Sequence, residues 1–247
     1  MNNKVALVTG GMGGLGTALC RRLHAEGFQV AATYSPSNQT PEAWLAAQRD
    51  EGFRFNAYKV DVTDFAECEW MMQKLLAEMG RLDVLVNNAG ITRDRSLRKM
   101  THEDWQAVLR ADLDSVFNVT RQAIEPMMAQ RAGRIINISS VNGQAGAFGQ
   151  ANYAAAKAGM HGFTKALALE MARHGITVNT VSPGYLRTKM TEAVPPEIMQ
   201  QKILPQIPIG RLGEPDEVAA LVAYLASDAA AFVTGANIAI NGGQHMG

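Results

Sequence analysis

Short runs of β-branched and apolar residues alternate along the chain with longer stretches whose apolar positions recur at helical spacing. The runs at residues 5–8, 29–33, 55–60, 84–87, 134–139, 177–182 and 237–240 predict strands. Several are apolar at nearly every position, the pattern of a strand covered on both faces. The stretches 14–24, 65–79, 104–130, 152–174 and 215–226 predict helices. Alternation of this kind implies parallel pairing through right-handed crossovers. The expected fold class is α/β, a doubly wound parallel sheet of about seven strands, or Rossmann fold, in one domain over residues 1–247.

Two stretches break the alternation. Residues 35–41 are rich in Ser, Pro and Asn but too short to separate domains. Residues 192–208 hold four of the nine prolines. The region near 186–212 is therefore expected to form a lid-like excursion that closes over a ligand.

Composition narrows the class. The 247 residues are 47% hydrophobic and 19% charged, enough to bury a large core and unlike a disordered chain. Lys plus Arg equals Asp plus Glu, at 23 each. That balance argues against a nucleic-acid partner and against a polybasic membrane anchor. No apolar run reaches the roughly 18 residues of a membrane span. Met1-Asn2-Asn3-Lys4 runs directly into the first strand, so no targeting segment is expected. Cys20 and Cys68 are too few for a disulfide framework, which points to a reducing, cytoplasmic setting.

The first candidate chemistry is a glycine turn at residues 9–16, between the first strand and the first helix. Gly10, Gly14 and Gly16 are spaced G-x-x-x-G-x-G, with Met12, Gly13 and Leu15 in the same turn. Glycine lets backbone approach a pyrophosphate closely, and the amides of the helix start meet its charge. A P-loop spacing is absent. The second strand is followed by Tyr34 and Ser35, with no acid there and no Arg or Lys before Arg49. An acid would bind the ribose 2′-hydroxyl of NAD, and an Arg the 2′-phosphate of NADP. Ser35, Ser37 and Thr40 can hydrogen-bond a phosphate without neutralising it. The missing acid removes a repulsion, so NADP(H) is favoured and NAD(H) stays possible. Asp61 and Val62 follow the third strand; the carboxylate suits either the adenine amino group or a helix cap. Asn88, Ala89 and Gly90 close the fourth strand, where small residues leave room for a ribose.

Tyr153 and Lys157 stand four apart at the start of a helical stretch and share a face. Ser140 ends the fifth strand thirteen residues earlier. The order of these pieces, together with Pro183-Gly184, resembles the short-chain dehydrogenase/reductase family over essentially the whole chain. Within that family, residues 87–94, 137–142, 149–159 and 241–247 resemble acetoacetyl-CoA reductases of polyhydroxyalkanoate synthesis, and next 3-oxoacyl-acyl-carrier-protein reductases.

The resemblance implies roles for these residues. A free phenol, with a pKa of about 10, is a poor acid near neutrality, and a neighbouring ammonium favours its ionised form. Tyr153 would donate a proton to a carbonyl oxygen, Ser140 would orient that oxygen, and Lys157 would also hold the nicotinamide ribose. No metal is required. Asp112 occupies, by spacing, the position where the family usually places an Asn of the proton relay. As a carboxylate it is expected to pair with Lys157 and to alter the pH profile.

Substrate contacts are expected from Phe148, Gln150 and Tyr185, and from Asp94 and Lys99. Arg93, Arg95, Arg98 and Lys99 form a basic run that suits either a solvated face or the phosphates of an acyl-CoA substrate. The five histidines show no metal spacing and suit surface or packing positions. The Ala- and Gly-rich helix from residue 152, taken with the resemblance, suggests a homotetramer. The function implied is NADPH-dependent reduction of a 3-ketoacyl thioester, foremost acetoacetyl-CoA to (R)-3-hydroxybutanoyl-CoA in polyhydroxybutyrate synthesis. Alternatives are reduction of the 3-oxoacyl-carrier-protein thioester and, in another class, a catalytically weak dinucleotide-binding regulator.

Overall fold

The computed structural model describes residues 4–192 and 194–246. The order of elements is β1 (Val5–Val8), α1 (Gly14–Ala25), β2 (Gln29–Tyr34), α2 (Pro41–Asp50), β3 (Phe55–Lys59), α3 (Phe65–Met79) and β4 (Val84–Asn87). The chain continues through α4 (His102–Leu109), a π-helical segment (Arg110–Asp114), α5 (Ser115–Gln130), β5 (Gly133–Ile138), α6 (Asn142–Ala145), α7 (Ala151–Met171) and β6 (Ile176–Pro183). Two short helices, α8 (Lys189–Glu192) and α9 (Pro196–Ile198), precede α10 (Pro215–Ala226) and β7 (Asn237–Ile240).

The seven strands form one sheet in the order β3-β2-β1-β4-β5-β6-β7. Every pairing is parallel, as the alternation of strands and helices requires. Successive side chains of a strand point to opposite faces, so each strand feeds two cores. Val5 and Leu7 of β1 join Leu85, Ile135 and Val178 beneath α3, α5 and α7. Ala6 and Val8 join Val84, Val86 and Ile136 beneath α1 and α10. Each fully buried Leu or Ile contributes roughly 1.5–3 kcal/mol.

Local chemistry sets the helix ends. Asp64 caps α3 by accepting the amide of Glu67, and Gly80 closes it in the left-handed region. Thr101 and Asp104 form a capping box at α4, and Pro215 starts α10.

Three elements depart from the expected pattern. The polar stretch after β2 leads into α2, whose Trp44 stacks on Phe55 of β3. The expected helix over 104–130 is two helices joined by the π-helical segment, in which the amide of Ser115 donates to the carbonyl of Arg110 five residues back. The last turn of the expected 152–174 helix is 3₁₀, closed by Gly175. Near 186–212 the chain leaves the sheet and returns, pinned at its base by Arg187 N to Gly213 O and Gly213 N to Tyr185 O, at 2.8 and 2.9 Å.

Strand order reverses between β1 and β4, so a crevice opens at the carboxyl ends of these two strands. The glycine turn enters it. A Cβ at Gly16 would overlap the carbonyl oxygen of Gly10 and stand 2.8 Å from Gly11 Cα. Gly16→Ala must open the turn, at a cost of about 1–3 kcal/mol. Thermal unfolding should show a loss of roughly 2–10 °C; an unchanged midpoint would mean that the turn opens freely.

Candidate active site

Three adjoining cavities follow the carboxyl edge of the sheet, with Gly90 in the lining of all three. The first, of about 320 Å³, holds Ser140, Tyr153, Lys157, Asp112, Pro183, Gly184, Gln150 and Tyr185 in its wall. The second, of about 800 Å³, runs along the glycine turn and is lined by Gly10, Met12, Gly13, Gly14, Leu15, Gly16, Ser35, Asn88 and Ala89. The third, of about 410 Å³, reaches Ser35, Asp61 and Val62 at the ends of β2 and β3.

The glycine end suits a dinucleotide. Gly13 precedes α1 without a side-chain cap, and the first helical turn carries no acid. The amides there face the groove and can receive an anion. Thr9, the first residue of the glycine turn, ties the groove together. Its Oγ1 accepts the amides of Asn88 and Ala89 at 2.9 and 3.0 Å, while Asn88 Nδ2 donates to Thr9 O at 2.9 Å. Thr33 Oγ1 accepts Gly10 N at 3.1 Å. At the end of β2, Ser35 and Ser37 hydroxyls lie 2.9 Å apart. Asn38 lines the groove there, and Thr40 sits outside it, donating to Asn38 Oδ1 through both its amide and its hydroxyl. Asp61 Oδ1 accepts Thr63 N and Oγ1 at 3.0 and 2.8 Å, a local turn, and Asp64 takes the capping job at α3.

The chemistry gathers around Lys157. Its ammonium, 5% exposed as a side chain, donates to Ile138 O at 3.0 Å and stands 3.3 Å from Asp112 Oδ2. It also lies 5.4 Å from the centre of the Tyr153 ring. Asp112 is fully buried, and its Oδ1 accepts the amide of Ile91 at 2.8 Å. Burial pushes its carboxyl above the ordinary carboxylate range; Lys157 and the Ile91 amide oppose that shift without cancelling it. Oδ2 has the ammonium near it without an aligned hydrogen bond. A Cβ on Gly90 would stand 2.6 Å from Asp112 Oδ2 and 3.3 Å from Lys157 Nζ, so only glycine lets the groove pass over this pair.

Ser140 follows β5, and its Oγ accepts the amide of Asn142 at 3.1 Å, which leaves its own proton for the cavity. Tyr153 is placed by Asn152, a fully buried side chain at the start of α7. Asn152 Oδ1 accepts Tyr153 N, and its Nδ2 donates to the carbonyls of Arg93 and Asp104.

The residues expected to meet a substrate divide. Tyr185 and Gln150 line the reaction cavity. Both ends of the Gln150 amide are engaged, accepting from Asn142 and donating to Asp94 Oδ2, each at 2.7 Å. Asp94 thus reaches the site through Gln150. Phe148 is 95% exposed, and Lys99 lies on the surface; neither lines this cavity. Of the basic run, Arg93 and Arg95 pair with Asp104 at 3.5 and 2.9 Å. Ile91, Asn142 and Thr188 also line the cavity. Of these three, Asn142 has the plainest signal in the chain, standing two residues past Ser140.

Among the described residues, no group of three His, Cys, Asp or Glu side chains is placed to hold a metal, and no helix is long and apolar enough to cross a membrane.

A family model described as enoyl-(acyl carrier protein) reductase matches residues 10–245. The chain is 51% identical over 247 residues to an acetoacetyl-CoA reductase of Cupriavidus necator, covering 100% of both. It is 50% identical over 244 residues to an acetoacetyl-CoA reductase of Allochromatium vinosum, covering 98% of this chain and 99% of the relative. It is 46% identical over 245 residues to the 3-oxoacyl-[acyl-carrier-protein] reductase FabG of Escherichia coli, covering 98% of each. With the parallel sheet and its switch-point groove, these matches make the chain a member of the short-chain dehydrogenase/reductase family, an oxidoreductase that uses a nicotinamide dinucleotide.

Proposed function

We propose that the protein reduces the 3-keto group of a short 3-ketoacyl thioester, acetoacetyl-CoA foremost, to the (R)-3-hydroxy thioester, with NADPH as the favoured donor. The observation that carries this reading is one cavity that holds Ser140, Tyr153 and Lys157 and opens into the dinucleotide groove. The two acetoacetyl-CoA reductase relatives supply the substrate class.

The bound nicotinamide supplies the hydride. The residues around it position the ketone and deliver a proton. Ser140 Oγ accepts from the amide of Asn142 and keeps its own proton, which it donates to the ketone oxygen and so orients it. Tyr153 Oη–H donates the proton that this oxygen takes up. The ammonium of Lys157 stabilises the phenolate left behind. Lys157 returns a proton to the Tyr153 phenolate and takes its replacement from solvent, while the Asp112 carboxylate, its Oδ2 3.3 Å away, favours the recharged ammonium.

At the 2′ position of the ribose, Ser35, Ser37 and Asn38 offer hydrogen-bond donors without a cation or an acid. NADP(H) therefore binds without repulsion but without an ion pair, and NAD(H) is accepted as well. The FabG relative and the exposed Arg98 and Lys99 favour a second reading, in which the thioester is presented by an acyl carrier protein. A regulator without turnover is disfavoured by the assembled Ser140, Tyr153 and Lys157. The protein is further proposed to be a cytoplasmic homotetramer. Exposed apolar side chains on α5, α7 and α10, at Phe117, Leu169 and Tyr224, are surfaces that partner subunits would cover.

Initial rates with acetoacetyl-CoA and with acetoacetyl-carrier protein decide the substrate; a strong preference for the carrier-protein form would reverse the first choice. Tyr153→Phe should lower kcat by roughly 10²–10⁴-fold while the dinucleotide dissociation constant, read by fluorescence titration, stays unchanged. For Asp112 the sign is set by burial. Its carboxyl protonates above the ordinary range, so wild-type kcat falls as pH drops through that raised value. Asp112→Asn should lack this acid-side fall, and an unchanged pH–rate curve would exclude Asp112 from the relay. NADP⁺ should bind within about tenfold of NAD⁺, and Ser35→Asp should weaken NADP⁺ alone.

A further inference from the structure

One half-buried titratable group near the site takes no part in the chemistry above. His161 lies on α7 one turn after Lys157, half-buried, where the spacing of the histidines suggests only a surface or packing residue. Its Nε2 is 2.9 Å from Ser139 Oγ and 3.4 Å from Ser182 Oγ. Each of these hydroxyls has one proton, and each has already given it away. Ser139 donates to the carbonyl of Lys157 at 2.9 Å, and Ser182 donates to Asn237 Oδ1 at 2.7 Å. Both therefore turn lone pairs toward the ring, and only a protonated Nε2 satisfies them. Burial and the nearby Lys165 hold the imidazole below its ordinary pKa, consistent with a neutral ring carrying its proton on Nε2 at neutral pH.

The position of the two serines gives this contact its meaning. Ser139 immediately precedes Ser140, and Ser182 immediately precedes Pro183-Gly184, so one donor reaches the roots of two facing walls of the reaction cavity. The strand ends are joined to each other by Ser139 N to Val181 O and Val141 N to Pro183 O, both at 2.8 Å. Lys157 is tied twice to this segment, through Nζ to Ile138 O at the end of β5 and through its carbonyl to Oγ of Ser139, the next residue. The Lys157 carbonyl takes the Ser139 hydroxyl proton, and the His161 ring stands on the other side of that oxygen.

We propose that His161 is a positioning residue whose Nε2–H, shared by Ser139 and Ser182, locks the strand ends bearing Ser140 and Pro183-Gly184 against the helix bearing Tyr153 and Lys157. The inference rests on the reductase reading for its kinetic consequence, but not for its hydrogen bonding.

Two measurements test it. In protein labelled with ¹⁵N-histidine, the His161 resonances, identified by their loss in His161→Gln, should show the Nε2–H tautomer at neutral pH. An Nδ1–H tautomer overturns the proposal whatever the enzyme reduces. In steady state, His161→Leu removes the donor and should lower kcat on acetoacetyl-CoA by about tenfold or more, with KM and dinucleotide affinity nearly unchanged. His161→Gln keeps a donor amide and should recover most of that loss, even if both variants melt lower by the same amount. Equal kcat losses in the two variants, or no loss in His161→Leu, would overturn it. A wild type that reduces no thioester counts against the reductase reading instead, and the tautomer then decides this proposal alone.

Discussion

A buried ammonium is the constraint around which the site is built. An uncompensated cation inside a protein is costly, and Lys157 is almost wholly inside. It is kept there by the carbonyl of Ile138, the carboxylate of Asp112 and the face of Tyr153. Each partner comes from a different place: the end of β5, the π-helical segment, and the preceding turn of α7. Satisfying one charge thus fixes three elements relative to one another. Two glycines make room for it. Gly90 passes over the pair, and a Cβ on Gly143 would meet the backbone carbon of Lys157 at 2.9 Å.

The π-helical segment is the structural answer to the second half of that pair. A wider turn at Arg110–Asp114 is stabilised by Ser115, whose hydroxyl donates back to Ala111 O at 2.6 Å. Such turns concentrate at functional sites because they re-aim one side chain without ending the helix. Here the re-aimed group is Asp112, brought under Gly90 and against Lys157.

Behind the cavity, buried polar side chains link the strands in series. Asn87 Nδ2 donates to Asn137 Oδ1 and to Thr120 on α5, Asn137 donates to Thr164 on α7, and Thr164 meets Thr180 on β6. Buried polar groups are costly unless paired, so such a chain tolerates few alternative arrangements. It gives the switch-point crevice a rigid floor, while the walls above it carry the reacting groups.

Much of this was legible in the residues. β1, β4 and β7 and helices α3 and α10 fall where apolar periodicity and capping chemistry put them, because those elements are decided locally. The parallel order follows from alternation, since parallel neighbours need a crossover between them. Tyr153 and Lys157 share a face because helical geometry puts residues four apart together. The π-helical segment was invisible: over 104–130 the helical period runs on, and one extra residue per turn hardly changes it. Helix α2 was hidden because its start is polar and its anchoring contacts, Trp44 with Phe55 and Thr17, and Gln48 with Arg21, are made across sequence. Sequence alone therefore determined the fold class, the glycine turn and the order of the reacting residues, all of which depend on spacing along one segment. Tertiary structure alone decided which of them share a cavity. It spent Arg93 and Arg95 on Asp104, left Phe148 in solvent, tied Thr9 to Asn88 and Ala89 across the groove, and drew His161 toward the site from a position without a local signature. The physical reason is that hydrogen bonds and ion pairs among distant segments are settled by how strands and helices pack, and periodicity carries no record of those partners.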